Sequence, residues 1–554
     1  RSSAASDVYK RQGSITLSFL SACNNDDKTI IEGGKVNVNK TIDFSLNFGD
    51  YNNEQKVEGT RSIQQEQSAK SQTLNIGNGI IAVVTLQKDT AKTRKPEIQT
   101  RALPNDTYTM LAYDAGGILK GEVTGTVTGG TFTPTSANQD IILEPGTYTF
   151  ICFNSKVSRN GNTLIVTRVN AGEALIGRTE NVNITATPRK QKVNFNMQHT
   201  AARIRIQLTG YMNFAAAPKA TLSSVNATDI PGTETYDITT GTWTIGNGEA
   251  MNSNLTFPAS GIAISNEYAY FMPTTDGSKL KLTFTAGNIY TKDMTGYSIT
   301  LNPNPVLTME RNHSYLINIK LMNNFRYLFT DGSVGGIAQT TFAGGPSTPI
   351  GVVISQGYRI AVALKDIGYH SWCNKYEWGK YEHNTTASPT FSDHIDDMKG
   401  YEYTWTKYYN NINVIRGYST DYPAFYAAGH YIPTLPAGVQ LTGGMVGKQW
   451  HLPAMGEWVQ VLKILGLGNI YESNPLGGYK QWGAGFTINS GMMNAAFAQV
   501  GGTGIYAVHW TSSEYGAQGH PGGLSDLAVA THSVSSFYYP TIGDANIVRP
   551  FIRY

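Results

Sequence analysis

Cysteine is nearly missing from this chain: 554 residues hold three, Cys23, Cys152 and Cys373. That count builds no disulfide framework, and no Cys-x-x-Cys pair is there to hold zinc. Charge is scarce as well. Only 15% of residues are Asp, Glu, Lys or Arg, and 43 basic against 40 acidic side chains leave a net charge of +3. Such a balance argues against a nucleic-acid partner and against an acidic tail. No apolar run approaches the roughly 20 residues that a membrane-spanning helix takes. The usual catalytic templates are also lacking, with no Gly-x-Ser-x-Gly, no His-Glu-x-x-His and no P-loop. Gly77-Asn78-Gly79 is no nucleotide fingerprint, because no helix follows it. The expectation is a non-enzyme without a cofactor.

What is plentiful is Gly (58 residues), Tyr (32) and neutral polar side chains. Together they fit short strands joined by turns on an extracellular surface. The length exceeds what one core serves and suggests three or four domains.

The start of the chain carries an export signal. Leu20-Ser21-Ala22-Cys23 ends a short apolar run from Ser14 and matches the bacterial lipobox. Small side chains there admit signal peptidase, and the Cys23 sulfur is the expected lipidation site. Asn24-Asn25-Asp26-Asp27 resembles an acidic tether to the outer face of an outer membrane. Residues 13–23 thus read as the remnant of a lipoprotein signal peptide. Residues 1–12 (RSSAASDVYKRQ) read as a translated sequencing-adapter scar and are left out of fold reasoning.

Beyond this point strand patterns recur. Val36, Val38, Ile42, Phe44 and Leu46 alternate, and the polar stretch from Asn52 to Gln72 reads as a linker containing Arg61. Ile76–Leu86, Thr107–Tyr113, Thr147–Phe153 and Leu164–Val169 are β-branched or aromatic, with Gly, Pro, Asn and Asp between them. Ile204, Ile206 and Leu208 then alternate with polar residues. Tyr315, Ile317, Ile319 and Leu321 do the same against Leu316, Asn318 and Lys320. Recurring short strands of this kind predict antiparallel sandwiches rather than βαβ units.

Four pieces in order carry a family resemblance. They are Tyr108-Thr109-Met110-Leu111-Ala112-Tyr113-Asp114 with Gly116-Gly117, Pro145-Gly146-Thr147-Tyr148-Thr149-Phe150, Phe195-Asn196-Met197-Gln198-His199 running into ARIRIQL, and Asn312-His313-Ser314-Tyr315. Over about residues 27–323 the chain resembles the fimbrillin family of bacterial pilus subunits. The resemblance implies two tandem antiparallel, transthyretin-like β-sandwiches, residues 73–198 and 199–323, behind an N-terminal strand and cleavable linker at 24–72. It also implies a lipidated precursor cut after an Arg, whose lost first strand leaves a groove for an extended strand of another pilin subunit. Such donor-strand exchange is β-strand addition: main-chain hydrogen bonds give affinity and alternate side chains fill pockets. Arg61 is the expected processing site, since Arg94 and Arg101 would remove more strand; a plain surface arginine is the competing reading.

After Asn323 the texture changes. Aromatics are dense from Phe325 to Tyr554, and Trp458, Val461, Leu462 and Leu465 form one helical stripe within Pro453–Leu465. Pro453 suits the first turn, and Gly466 is expected to end the helix in a left-handed conformation. Met493–Val500 is a second helix candidate. Pro349-Ile350-Gly351-Val352-Val353, Ala363-Leu364-Lys365-Asp366, Trp450-His451-Leu452-Pro453 with Glu457-Trp458, Trp510-Thr511-Ser512-Ser513-Glu514 and Val548-Arg549-Pro550 follow in order. This series resembles bacterial repeat-type domains with an α+β, C-type-lectin-like fold, here residues 324–554.

Several candidate sites lie in that region, each with a plainer explanation beside it. Tyr401-Glu402-Tyr403-Thr404-Trp405 alternates at strand period, which would put Tyr401, Tyr403 and Trp405 on one face for stacking on sugars; core packing gives the same pattern. Tyr376, Trp378 and Tyr381 share that ambiguity. Glu457 and Glu514 read as scaffold carboxylates bonding loop backbone, against an acid/base pair that needs a separation of about 5–9.5 Å. The enzymes that make formylglycine share the lectin-like fold but depend on cysteine chemistry, and this region holds only Cys373. His370-x-x-Cys373 is at most half a metal site. Classical lectin calcium motifs are absent; Asp393, Asp396 and Asp397 are weak Ca²⁺ candidates beside a solvated-loop reading, so calcium is not expected.

The overall expectation is a pilus subunit at the filament tip, with residues 324–554 as an adhesin for a glycan or host-surface protein. Its location would be the cell surface or fimbrium, reached as an outer-membrane lipoprotein. A compact domain in place of a free donor strand would let the chain accept a neighbour but not donate. The alternative is a monomeric surface lipoprotein that stays uncleaved and binds glycans or host protein.

Overall fold

Alternating apolar side chains can bury one sheet face, and continuous apolar runs can bury two; both patterns occur here and sort the chain into layers. The computed structural model describes residues 15–17, 30–31, 35–38, 42–52, 55–57, 72–77, 79–85, 100–101, 103–129, 131–135, 141–186, 191–301, 307–374, 384, 391–409, 413–468, 472–473, 481–484, 488–516, 524–530, 536–538 and 543–554. The protein is mainly β. No described helix is long and apolar enough to cross a membrane.

The first large sheet runs in the order Ile15–Leu17, Ile42–Gly49, Gln191–His199, Leu175–Ile184, Gly146–Asn154, Asp106–Asp114, Leu119–Thr128 and Thr131–Pro134. A small sheet of Ile30–Ile31, Lys35–Asn37 and Ile142–Leu143 covers one face. Between them Val36, Val38, Leu46, Phe48, Met110, Phe150 and Phe195 form one core. The opposite face of the same strands buries Leu111, Tyr113, Ile151 and Phe153 against Leu164, Val166 and Tyr236. Coverage on both faces explains why the middle strands read as apolar runs. The predicted single strand over 36–48 is therefore two strands in two sheets, because Val36 and Leu46 approach one core from opposite layers.

In the second large sheet the order is Ile262–Ile264, Ala202–Thr209, Ser314–Asn323, Ile80–Thr85 and Gln72–Gly77. A facing sheet contains Asn252–Thr256, Ala216–Ser224 and Leu280–Ile289. Ile204, Ile206, Leu208, Ile317, Ile319 and Leu321 pack against Leu222, Leu282 and Phe284. The expected alternation holds, except that Leu316 is buried too.

Two expectations need correction. The hairpin Gln72–Gly77/Ile80–Thr85, read within the 73–198 sandwich, instead pairs with Ser314–Asn323. Its run Ile80, Ile81, Ala82 and Val84 fills the second core, so burial overrides sequence proximity. The sheets are also not purely antiparallel. Ile42–Gly49 runs parallel to Gln191–His199, and Ala202–Thr209 runs parallel to Ser314–Asn323, strands brought together from distant segments.

Beyond Asn323 one sheet runs Val334–Gly335, Tyr327–Phe329, Pro349–Ser355, Ile360–Ala363, Phe551–Arg553 and Trp450–His451, so the chain's last strand returns between Ile360–Ala363 and Trp450–His451. A second sheet includes Gly368–Ser371, Ala545–Val548, Val508–Gly516 and Leu524–Ala530. The predicted helix exists as Met455–Gln460 continued by a wide turn over Val461–Leu465, with Trp458, Val461, Leu462 and Leu465 buried. Gly466 is not left-handed (φ −100°); Leu467 takes that role at φ 50°. The second helix is Ser490–Ala498, its first turn capped by the Asn489 side chain.

No slack separates this region from the second sandwich. Asn323 ends one strand and Tyr327 begins the next. Phe325 and Tyr327 are buried, and they share one continuous core with Leu321, Trp458 and Phe497. The Tyr327 hydroxyl donates to the Ala496 carbonyl at 3.0 Å, and Gln499 Nε2 donates to the Tyr211 hydroxyl at 2.9 Å.

Candidate functional site

The expected strand replacement and adhesion fall on two parts of the molecule: the N-terminal strand Ile42–Gly49 and the aromatic residues around Trp405. Strand Ile42–Gly49 is in register with Gln191–His199 over seven residue pairs, Leu46 opposite Phe195 and Phe48 opposite Met197. Among the described residues its other edge pairs with the short strands Ile15–Leu17 and Thr100–Arg101. Leu46 and Phe48 are buried, and burying each contributes about 1.5–3 kcal/mol. The main-chain ladder adds about 0.5–1.5 kcal/mol per bond.

The chain then crosses to the second sandwich. Asn52 N–H donates to the Asn312 carbonyl at 2.9 Å, and Gln55–Val57 pairs in parallel with Ser314–Asn323. Cys23 and Arg61, the expected lipidation and processing sites, lie outside the described residues, as do Tyr376, Trp378 and Tyr381.

The segment with Tyr401, Tyr403 and Trp405 is a helix, Gly400–Trp405, not a strand. Helical period puts residues four apart on one face and those two apart on opposite sides, so Tyr403 is turned away from Tyr401 and Trp405. Tyr403 is buried and its hydroxyl donates to Asp397 Oδ1 at 3.3 Å. Tyr401 donates to Gln449 Oε1 at 3.3 Å and meets the His451 ring edge-on. Six residues are too few for a periodic signal, which is why the alternation misleads.

Trp405 belongs to a different group. Its indole N–H donates to the Trp450 carbonyl at 2.7 Å, and its ring lies against Gly417 and Gly429, where a Cβ would come within 2.8 Å of it. Tyr418, 61% exposed, stands edge-on to Trp405 at 5.0 Å. Tyr426 stacks on His430 at 4.0 Å, and Ile432 nearby in sequence is 82% exposed. Tyr418 carries no local pattern that singles it out; only the fold brings it beside Trp405.

Asp393 and Asp396 are exposed, while Asp397 turns inward and accepts from Ser513 Oγ (2.7 Å), Lys399 N–H (3.1 Å) and Tyr403. Burial raises the Asp397 pKa, against the pull of those bonds. Among the described residues no group of three His, Cys, Asp or Glu side chains could hold a metal ion. Glu457 is fully buried, accepting from Ala454 N–H at 2.8 Å and lying 3.1 Å from His451 Nε2. Glu514 is buried likewise, accepting from Asn384 N–H at 2.7 Å and from Arg416 at 3.4 Å. Both carboxylates brace loops. Cys373 is buried in an apolar cluster with Trp372 and Phe425.

The motifs at either end of the region meet. Arg549, fully buried, donates to Asp366 Oδ1 at 2.6 Å and to the Thr503 carbonyl at 2.9 Å. Burial would raise the Asp366 pKa, but hydrogen bonds from His509 and Arg549 outweigh it and hold the carboxyl at about 2.

The architecture is mainly β, built of many sheets. Residues 120–335 match the family model described as fimbrillin-like, from the strand Leu119–Thr128 through the second sandwich to Gly335. No curated protein matches the chain. A fimbrial protein from Bacteroides ovatus is 11% identical, with 82% of this chain and 95% of that chain covered and a TM-score of 0.23. A candidate cell adhesion protein from Bacteroides uniformis is 14% identical over 40% of this chain and 91% of that one, TM-score 0.29. A fimbrial protein from Bacteroides vulgatus is 11% identical over 43% and 93%, TM-score 0.22.

Proposed function

We propose that this chain is a structural and adhesive subunit of a cell-surface pilus and that it sits at the filament tip. The fimbrillin-like match over residues 120–335 supports the pilus reading. The observation that carries the tip reading is the junction at 323–327. A shaft subunit must release an extended strand to its neighbour, whereas here the last sandwich strand leads after three residues into a buried tyrosine.

In this account the precursor is exported as an outer-membrane lipoprotein through Cys23 and cut after Arg61. Loss of Ile42–Gly49 uncovers Val193, Phe195 and Met197, and an extended strand of another pilin subunit takes its place. Residues 324–554 form the lectin-like adhesin, and the face around Trp405 and Tyr418 takes a glycan or host protein. Aromatic rings suit the apolar face of a sugar, and their polar tips suit a wet rim.

Gold-tagged antibody against residues 325–554 on intact cells tests the assignment. Gold confined to filament ends is expected. Gold along the shaft would contradict it, and gold on the cell body alone would favour an unassembled surface lipoprotein.

A further inference from the structure

Just past the N-terminal strand, one side chain is held more elaborately than strand pairing requires. The Tyr51 ring stacks on the His199 imidazole at 3.9 Å, with 12° between planes. The Arg203 guanidinium stands 4.2 Å from its ring centroid. Its hydroxyl donates to the Gly172 carbonyl at 3.3 Å, and Tyr270 lies 6.3 Å away, tilted by 41°. Tyr51 is 7% exposed.

The walls of this slot belong to parts of the chain that stay when the N-terminal strand is gone. His199 ends the strand Gln191–His199, and Arg203 lies in Ala202–Thr209, so the two face Tyr51 from the turn joining the sandwiches. Arg203 is anchored without Tyr51: its Nε donates to Ser314 Oγ at 3.1 Å, and its guanidinium lies 4.1 Å from the Tyr268 ring centroid. Tyr270 is fixed in register opposite Arg203. Gly172 is kept small by Tyr270, whose ring a Cβ there would meet at 2.8 Å.

We propose that this slot is a receptor for one aromatic side chain of the strand that replaces Ile42–Gly49, and that it fixes that strand's register. The inference rests on the strand replacement proposed above and names what the incoming strand must carry. Leu46 and Phe48 fill the sandwich, and Tyr51 follows three residues later in the slot. The partner strand therefore needs the pattern apolar, any, apolar, any, any, aromatic. A slip by one residue would turn its apolar set to the wrong face and leave the slot unfilled. An aromatic is selected because a cation beside a desolvated ring is attracted by its quadrupole, which an aliphatic side chain lacks.

Strand exchange on the full chain tests this, with a site-specific protease sequence replacing residues 58–64 so that the cut N-terminal strand remains bound until displaced. Labelled peptides copying residues 40–52 are offered with Tyr51 kept or changed by Tyr51→Phe, Tyr51→Trp, Tyr51→Leu or Tyr51→Ala. Fluorescence anisotropy follows uptake and release. Aromatic peptides are expected to stay bound, and the Leu and Ala peptides to dissociate at least ten-fold faster. Arg203→Met in the protein should shrink that ratio toward one. Equal retention of Tyr and Leu peptides would overturn the slot while leaving strand replacement standing. Uptake of no peptide at all would overturn both.

Discussion

The two sandwiches close their sheets in opposite ways. In the first, Ile42–Gly49 is supplied by a segment ahead of the body of the domain, so cutting the chain after it leaves everything downstream continuous. In the second, Ser314–Asn323 is central, flanked by Ala202–Thr209 and Ile80–Thr85, and runs on into buried Tyr327. On the proposed reading, one unit can lose a strand and the other has none to give. On that reading, whether a subunit accepts, donates or does both depends on where chain connectivity lies relative to the sheets, not on the sheets alone.

The junction offers the largest effect with which to break this contrast. Tyr327→Ala removes a fully buried ring and its bond to Ala496, and should cost about 3–5 kcal/mol. Calorimetry should then show the C-terminal region and second sandwich melting apart, where the parent chain melts them together. Leu46→Ala should cost about 2–5 kcal/mol, measured in urea, and should make the N-terminal strand easier to displace without altering the C-terminal region.

Acid should loosen the N-terminal end. Burial pushes the His199 imidazole down from 6.5 to about 4, with Asp50 pulling it back up and Arg203 adding to the fall. Its contribution is complete above the unfolded value and is lost as pH drops from 6.5 through 4. That contribution is on the order of 1–3 kcal/mol. Asp366, held at about 2 against an ordinary 3.8, keeps its contribution until pH falls from 3.8 through 2. Proteolysis between residues 53 and 71 should therefore accelerate as pH drops from 6.5 toward 4. The smallest stability change belongs to Tyr418→Ala, within about 0.5 kcal/mol at an exposed site. The same substitution should weaken adhesion to glycan-coated or host surfaces in a cell-binding assay.

Much of the β architecture was legible from alternation. Ile204, Ile206 and Leu208 sit where a period of two puts them, and the Trp458–Leu465 stripe is one buried helix face. Failures came where long-range pairing decided. The hairpin at 72–85 crossed to the second sandwich because its apolar run had a core to fill there. Tyr401–Trp405 alternates yet is helical, since five residues carry too little period to distinguish the two. Asp397 reads as part of an acidic run, yet donors from Ser513 and Tyr403, far along the chain or a turn away, hold it inward. The Tyr51 slot was invisible because its partners, Gly172, His199 and Arg203, meet only at the turn between sandwiches.

The most direct test of accepting without donating is native mass spectrometry of the chain after specific cleavage in residues 58–64, with and without a donor peptide copying residues 40–52. The account predicts a one-to-one complex with the peptide and no self-assembly of the cleaved chain. A ladder of head-to-tail oligomers formed without peptide would contradict it.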